Sequence, residues 1–172
     1  GGIREPLLVR WPGVSRPGSV VSTPVSSPDF FPTFLEAAGV APAPGQILDG
    51  RSLAPALRGE RTPERPLFWH YPHYNMHGSR PASAVRAGDL KLIEFHEDGR
   101  RELYDLARDA GETRDLAAAR PDDAARLSAL LRDHLRENNA RMGTPNPAYA
   151  GVEPEILPLR AFESTRTVPG GR

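Results

Sequence analysis

Ser83-Ala84-Val85-Arg86-Ala87-Gly88-Asp89-Leu90-Lys91-Leu92-Ile93-Glu94-Phe95 reads as two short strands joined through Ala87-Gly88-Asp89. Apolar and polar residues mix at strand spacing on either side of a Gly-Asp turn, the short-range signature of a β-hairpin. Asp98-Gly99 supplies the next turn and leads into Arg101-Glu102-Leu103-Tyr104-Asp105-Leu106. Upstream, Leu67-Phe68-Trp69-His70-Tyr71 reads as a strand that Pro72 ends. Three or four short strands in succession imply a small antiparallel sheet. A helix is expected from about Pro121, where Ala124, Leu127, Leu130, Leu131 and Leu135 make an apolar stripe at helical spacing. A sheet and a helix each need a partner to bury an apolar side, so this helix should cover one face of that sheet. The expected subdomain spans 67–149. Periodicity stops there, and 150–172 reads as a loose tail.

The first third of the chain has a different grammar. Ile3-Arg4-Glu5-Pro6-Leu7-Leu8-Val9-Arg10-Trp11 holds a short apolar run closed by Pro12-Gly13, and reads as a buried strand of a helix-covered sheet. Ser26-Ser27-Pro28-Asp29 offers a cap, an early proline and an acid at a helix start. Phe30, Phe31, Phe34, Leu35 and Ala38 then repeat at helical spacing, and Gly39 is a natural stop. From Ala41 to Pro66 loop signals dominate, with a short helical turn expected around Ser52–Leu57. Residues 1–66 are therefore read as one unit and 67–149 as a second.

Composition sets the bounds. Lys plus Arg equal Asp plus Glu at 22 each, so no bulk charge recruits nucleic acid or an anionic membrane. No apolar run approaches the ~18 residues of a membrane span. The absence of cysteine excludes disulfides and thiolate metal sites while leaving the compartment undecided. The chain opens on Gly1 and not on Met, with no signal peptide before it, so it reads as the continuation of a longer sequence.

Several segments, in order, resemble the sulfatase family. Gly1-Gly2-Ile3-Arg4-Glu5-Pro6 through Trp11-Pro12-Gly13 is similar to the segment after the sulfate-binding lysine of sulfatases. Ser27-Pro28-Asp29-Phe30-Phe31-Pro32-Thr33 resembles the helix that follows it. Asp49-Gly50-Arg51-Ser52-Leu53, Leu67 to Tyr74, Val85 to Ile93, Glu102 to Leu106, Gly111-Glu112 and Asp115-Leu116-Ala117 continue in family order, to about Tyr149. The resemblance implies an α/β fold in which this chain supplies the edge of a large mixed sheet with helices, plus a smaller carboxy-terminal subdomain of antiparallel strands packed on a helix. It implies a parent enzyme that hydrolyses sulfate esters using a formylglycine nucleophile and Ca2+. The formylglycine comes from Cys or Ser in a Cys/Ser-x-Pro-x-Arg motif. Ser15, Ser22, Ser26 and Ser79 each begin a Ser-x-Pro, but the fourth residues on are Ser19, Ser26, Phe30 and Ser83, so none carries the arginine. No catalytic residue and no metal ligand is assigned here. The calcium carboxylates are expected upstream of Gly1, and Asp122-Asp123 reads as a helix-start feature. The fragment alone should be inactive.

Arg4, His70, His73 and Tyr74 are the expected substrate contacts. His70, His73 and His77 lie close together, yet Pro72 denies them a common helix face and no zinc-like spacing is matched. A loop offering imidazoles and a phenol to a polar or anionic substrate fits better, and so does a plain packing and turn segment. His96 and His134 read as structural or exposed. The expected partner is a sulfated small molecule or glycan. The resemblance points to a periplasmic or secreted enzyme, and the sequence gives no oligomeric state. Three other readings stand beside this one: a related metal-dependent phosphatase or phosphodiesterase, a non-catalytic module that binds sulfated glycans, and an interaction or structural domain with no ligand.

Overall fold

Ser-Ser-Pro-Asp does begin a helix. In the computed structural model, which describes residues 3–75 and 78–144, Ser27–Asp29 forms a 3-10 turn that runs into helix α1, Phe30–Ala38. Gly39 ends α1 in the left-handed conformation at φ +65°, where a side chain would be strained. The chain divides into two compact units that part between Leu67 and Phe68.

In the first unit, polar groups carry the organisation around α1. Asp29 is only 1% exposed; its carboxylate accepts the backbone N–H of Ser26 at 2.8 Å and of Arg51 at 2.9 Å, and pairs with the Arg65 guanidinium. One turn on, the Thr33 hydroxyl donates to the Asp29 carbonyl at 2.6 Å and accepts the Leu53 N–H at 2.9 Å. These bonds tie α1 to the segment leading into α2, Ala54–Leu57, where Leu53, Ala54 and Ala56 are buried. Gly50 is more than a turn residue. A Cβ there would stand 2.0 Å from the Pro28 carbonyl oxygen, so only glycine permits this approach.

One expectation for this unit changes. The segment Ile3–Trp11 forms no strand, and Leu8 is 95% exposed. A strand needs a neighbour to receive its backbone hydrogen bonds, and no strand pairs with this segment among the described residues. The aromatic stripe of α1 also faces outward: Phe30, Phe31 and Phe34 are 37%, 47% and 66% exposed, with Phe30 and Phe34 ring centroids 6.2 Å apart.

The second unit is a four-stranded sheet in chain order: β1 (Leu67–Tyr71), β2 (Ala82–Ala87), β3 (Leu90–Phe95) and β4 (Arg101–Asp105). β2 and β3 pair antiparallel from Ala82↔Phe95 to Ala87↔Leu90, with Gly88 at φ +60° in the two-residue turn. β3 and β4 pair antiparallel from Leu90↔Asp105 to Glu94↔Arg101. Alternation then sends Val85, Leu90, Leu92 and Leu103 to one face. Helix α3, Pro121–Glu137, lays Ala124, Leu127 and Leu131 against them, and Leu92, Leu103 and Leu127 are fully buried. The outer edge of β4 is occupied: the Leu103 N–H bonds the Asp115 carboxylate at 2.9 Å, and the Leu103 carbonyl accepts the Leu116 N–H at 2.7 Å. The opposite sheet face carries Lys91 and Tyr104 as a register pair. Lys91 reaches Glu112 at 2.7 Å, and the Tyr104 hydroxyl donates to Glu102 at 2.9 Å. Tyr104 is 8% exposed and belongs to the core.

Candidate functional site

β1 ends at Tyr71 and releases the chain into a loop that returns at β2. Asn75 closes this loop on itself: its N–H reaches the Ser79 carbonyl at 3.4 Å, its carbonyl accepts the Gly78 N–H at 3.1 Å, and its side-chain oxygen accepts the Ser79 N–H at 3.1 Å. Gly78 sits at φ +79°, which suits the tight return. Tyr74, 63% exposed, donates its hydroxyl to Glu97, which also faces Arg80 at 3.7 Å. His73 is exposed, its ring edge against Tyr71 with centroids 5.7 Å apart. An imidazole and a phenol are thus presented side by side on a shaped loop. His77 lies outside the described residues.

His70 has a different surrounding. It shares the α3 side of the sheet with Phe68, whose ring stacks on His134 at 3.7 Å. His70 Nδ1 is 2.8 Å from the buried Ser83 hydroxyl, and Nε2 is 2.8 Å from the Arg141 carbonyl oxygen. Ser83 also contacts His96 Nε2 at 2.8 Å. Both ring nitrogens of His70 are therefore engaged within the unit. A signal for this was present: alternation turns Ser83 inward beside Val85, and an inward hydroxyl needs a partner.

The charges around this cluster are compensated. Burial raises the Glu94 pKa, but hydrogen bonds from Ser128 and Arg132 and the charges of Arg132 and Arg101 bring it below the ordinary carboxylate value. For His96, burial and the neighbouring His70 depress the imidazole pKa, with Glu94 opposing them. Ser83, Glu94, His96, Leu131, Arg132, Leu135 and Met142 line a pocket of about 240 Å³.

Arg4 belongs to the first unit and is exposed. Among the described residues, no group of three or more His, Asp or Glu side chains could hold a metal ion. No helix among them is long and apolar enough to cross a membrane.

Residues 1–141 match the family described as N-sulphoglucosamine sulphohydrolase, C-terminal. The chain belongs to this sulfatase family. A relative named sulfatase from Formosa agariphila is 41% identical over 159 residues, covering 83% of this chain and 29% of the relative. A protein solved in complex with its substrate D-glucosamine-2-N,6-O-disulfate is 30% identical, with a TM-score of 0.56 over 65% of this chain and 24% of its own. A phosphonate monoester hydrolase from Silicibacter pomeroyi is 31% identical, with a TM-score of 0.60 over 75% of this chain and 28% of its own. The chain thus spans about three tenths of the length of the sulfatase relative it matches. The α/β architecture, with its antiparallel four-stranded sheet, is that of a sulfatase carboxy-terminal domain within the alkaline-phosphatase-like fold.

Proposed function

We propose that this sulfatase domain belongs to an enzyme that hydrolyses a sulfate ester of a sugar or a small molecule, and that it contributes substrate recognition and not the bond-breaking groups. The family match over residues 1–141 carries this reading. In the whole enzyme, a formylglycine nucleophile would attack sulfur and Ca2+ would neutralise the sulfate oxygens, both held outside the residues described here. His73 and Tyr74 then serve as hydrogen-bonding groups for the part of the substrate beyond the sulfate, and Arg4 as a cation for an anionic group. Of the four expected contacts, His70 is the one reassigned: its ring holds the loop's base in place through Ser83 and Arg141. A periplasmic or secreted location is part of the same proposal.

The test compares substrates in the complete enzyme. His73→Ala or Tyr74→Phe should lower kcat/KM for a sulfated glucosamine about fivefold, the effect of ~1 kcal/mol from one neutral hydrogen bond, while sparing a small aryl sulfate. Equal losses on both substrates would remove the loop from recognition. The isolated 172-residue chain should not turn over an aryl sulfate with or without calcium. Similarity to a phosphonate monoester hydrolase supports a second reading, turnover of phosphorus esters. A higher kcat/KM for a phosphonate monoester than for any sulfate ester would favour it.

A further inference from the structure

The hydrogens of the His70, Ser83 and His96 chain can be assigned by elimination. The Arg141 carbonyl can only accept, so His70 Nε2 must donate to it at 2.8 Å. In a neutral imidazole the other nitrogen is then a bare acceptor, so the Ser83 hydroxyl donates to His70 Nδ1 at 2.8 Å. The Ser83 oxygen is left to accept, and His96 Nε2 donates to it at 2.8 Å. That leaves His96 Nδ1 as a bare acceptor, and it is buried without a hydrogen-bond partner among the described residues. The pattern is complete with both rings neutral, and one hydrogen more spoils it. A proton on His96 Nδ1 becomes a buried N–H with no acceptor. A proton on His70 Nδ1 points at the Ser83 oxygen and displaces the hydroxyl hydrogen, which either loses its acceptor or turns toward His96 and moves that ring's hydrogen to the orphan Nδ1.

We propose that the His70, Ser83 and His96 chain is a proton-operated clasp. Closed when both imidazoles are neutral, it fastens the segment after α3 to the sheet through the Arg141 carbonyl, and it opens on acidification. The fastened segment lies beside the recognition loop. A Cβ built on Gly143 would sit 3.6 Å from the Pro72 carbonyl oxygen, one residue before His73. The surrounding charges do not favour a second proton. His70 on β1 faces His96 with ring centroids 5.5 Å apart. Glu94 on β3 is the nearby anion, but its oxygens are held by Arg132 and Ser128 of α3 and by Arg101 of β4. Burial and His70 therefore outweigh Glu94 in setting the His96 pKa below its ordinary value. A group with a depressed folded pKa keeps the clasp closed above the unfolded-state value of about 6.5, and the clasp is lost as pH falls below it.

The bond after Arg141 is itself a trypsin site, so its cleavage reads the clasp directly. In the intact protein, the rate of cleavage after Arg141 is divided by that after Arg108, whose side chain is 89% exposed, at each pH between 7.5 and 5.5. The ratio cancels the pH dependence of the protease. It should rise severalfold on acidification in the wild type. His96→Gln, whose amide N–H can still donate to Ser83, should keep it low throughout. Ser83→Ala should give a high ratio already at pH 7.5, with folding checked by circular dichroism. A wild-type ratio that does not change with pH overturns the proposal, and this needs no variant to fold. A His96→Gln ratio that rises as the wild type's does would also overturn it.

Discussion

Helices α1 and α3 begin from the same sequence signal and end in opposite situations. Each has a proline near its start and an apolar stripe at helical spacing. On α3 the stripe is used: Leu127 and Leu131 are 0% and 1% exposed against the sheet. On α1 the phenylalanines face outward, and the buried positions are Asp29 and Thr33. One helix is held by apolar burial and the other by charge and hydrogen bonds directed at backbone N–H groups. Periodicity therefore tells which side of a helix is apolar, and not whether anything covers it.

The two units carry separate reporters, Trp11 and Trp69, so Trp69→Phe and Trp11→Phe backgrounds can follow each one in urea. The largest effect is expected from Asp29→Ala, which strands the Arg65 charge and two backbone donors; it should destabilise the first unit by about 3–5 kcal/mol. A midpoint for Trp11 that stays put would mean that α1 is held by something other than this carboxylate. Leu131→Ala should cost roughly 2–5 kcal/mol, read from Trp69, for an empty space between α3 and the sheet. A loss below about 0.5 kcal/mol would place α3 elsewhere. Mild acid should act next, through His96 of the second unit. The unfolded chain takes up the His96 proton more readily than the folded one, so stability is full above about pH 6.5 and declines below it. His96→Gln should flatten that decline, and an unchanged slope would assign it to other groups. The smallest effect is expected from Phe34→Ala, within about 0.5 kcal/mol in this chain, because its ring is already 66% exposed. A loss of several kcal/mol would show that the α1 stripe is covered after all.

Much of the second unit was legible because its signals are local. The hairpin through Gly88-Asp89, the turn at Asp98-Gly99 and the Leu127 and Leu131 stripe all act within a few residues, and the strands fall where alternation puts them. The first unit was harder because its determinants are distant partners. Nothing near Asp29 in sequence announces Arg65, 36 positions away, or the Arg51 N–H. The Pro28 backbone that crowds Gly50 is likewise invisible to pattern reading. The apolar run at Leu7–Val9 has strand chemistry, but pairing is a property of two segments and not of one. At the candidate site, the loop with His73 and Tyr74 was readable from Pro72 and Gly78. For His70, alternation announces the inward Ser83 hydroxyl and its need for a partner, but not which side chain 13 residues away meets it across the sheet.

The order β1-β2-β3-β4 has a kinetic meaning. Every strand lies beside its sequence neighbour, so the sheet assembles through short loop closures, and α3 must only fold back over strands already in place. Low contact order of this kind favours fast folding, because little chain entropy is lost before contacts reward it. The second unit should therefore refold faster than sheet proteins built on long crossovers. Its rate-limiting step should be the docking of α3, so Leu131→Ala would speed unfolding, and would slow refolding only to the extent that α3 is docked in the transition state.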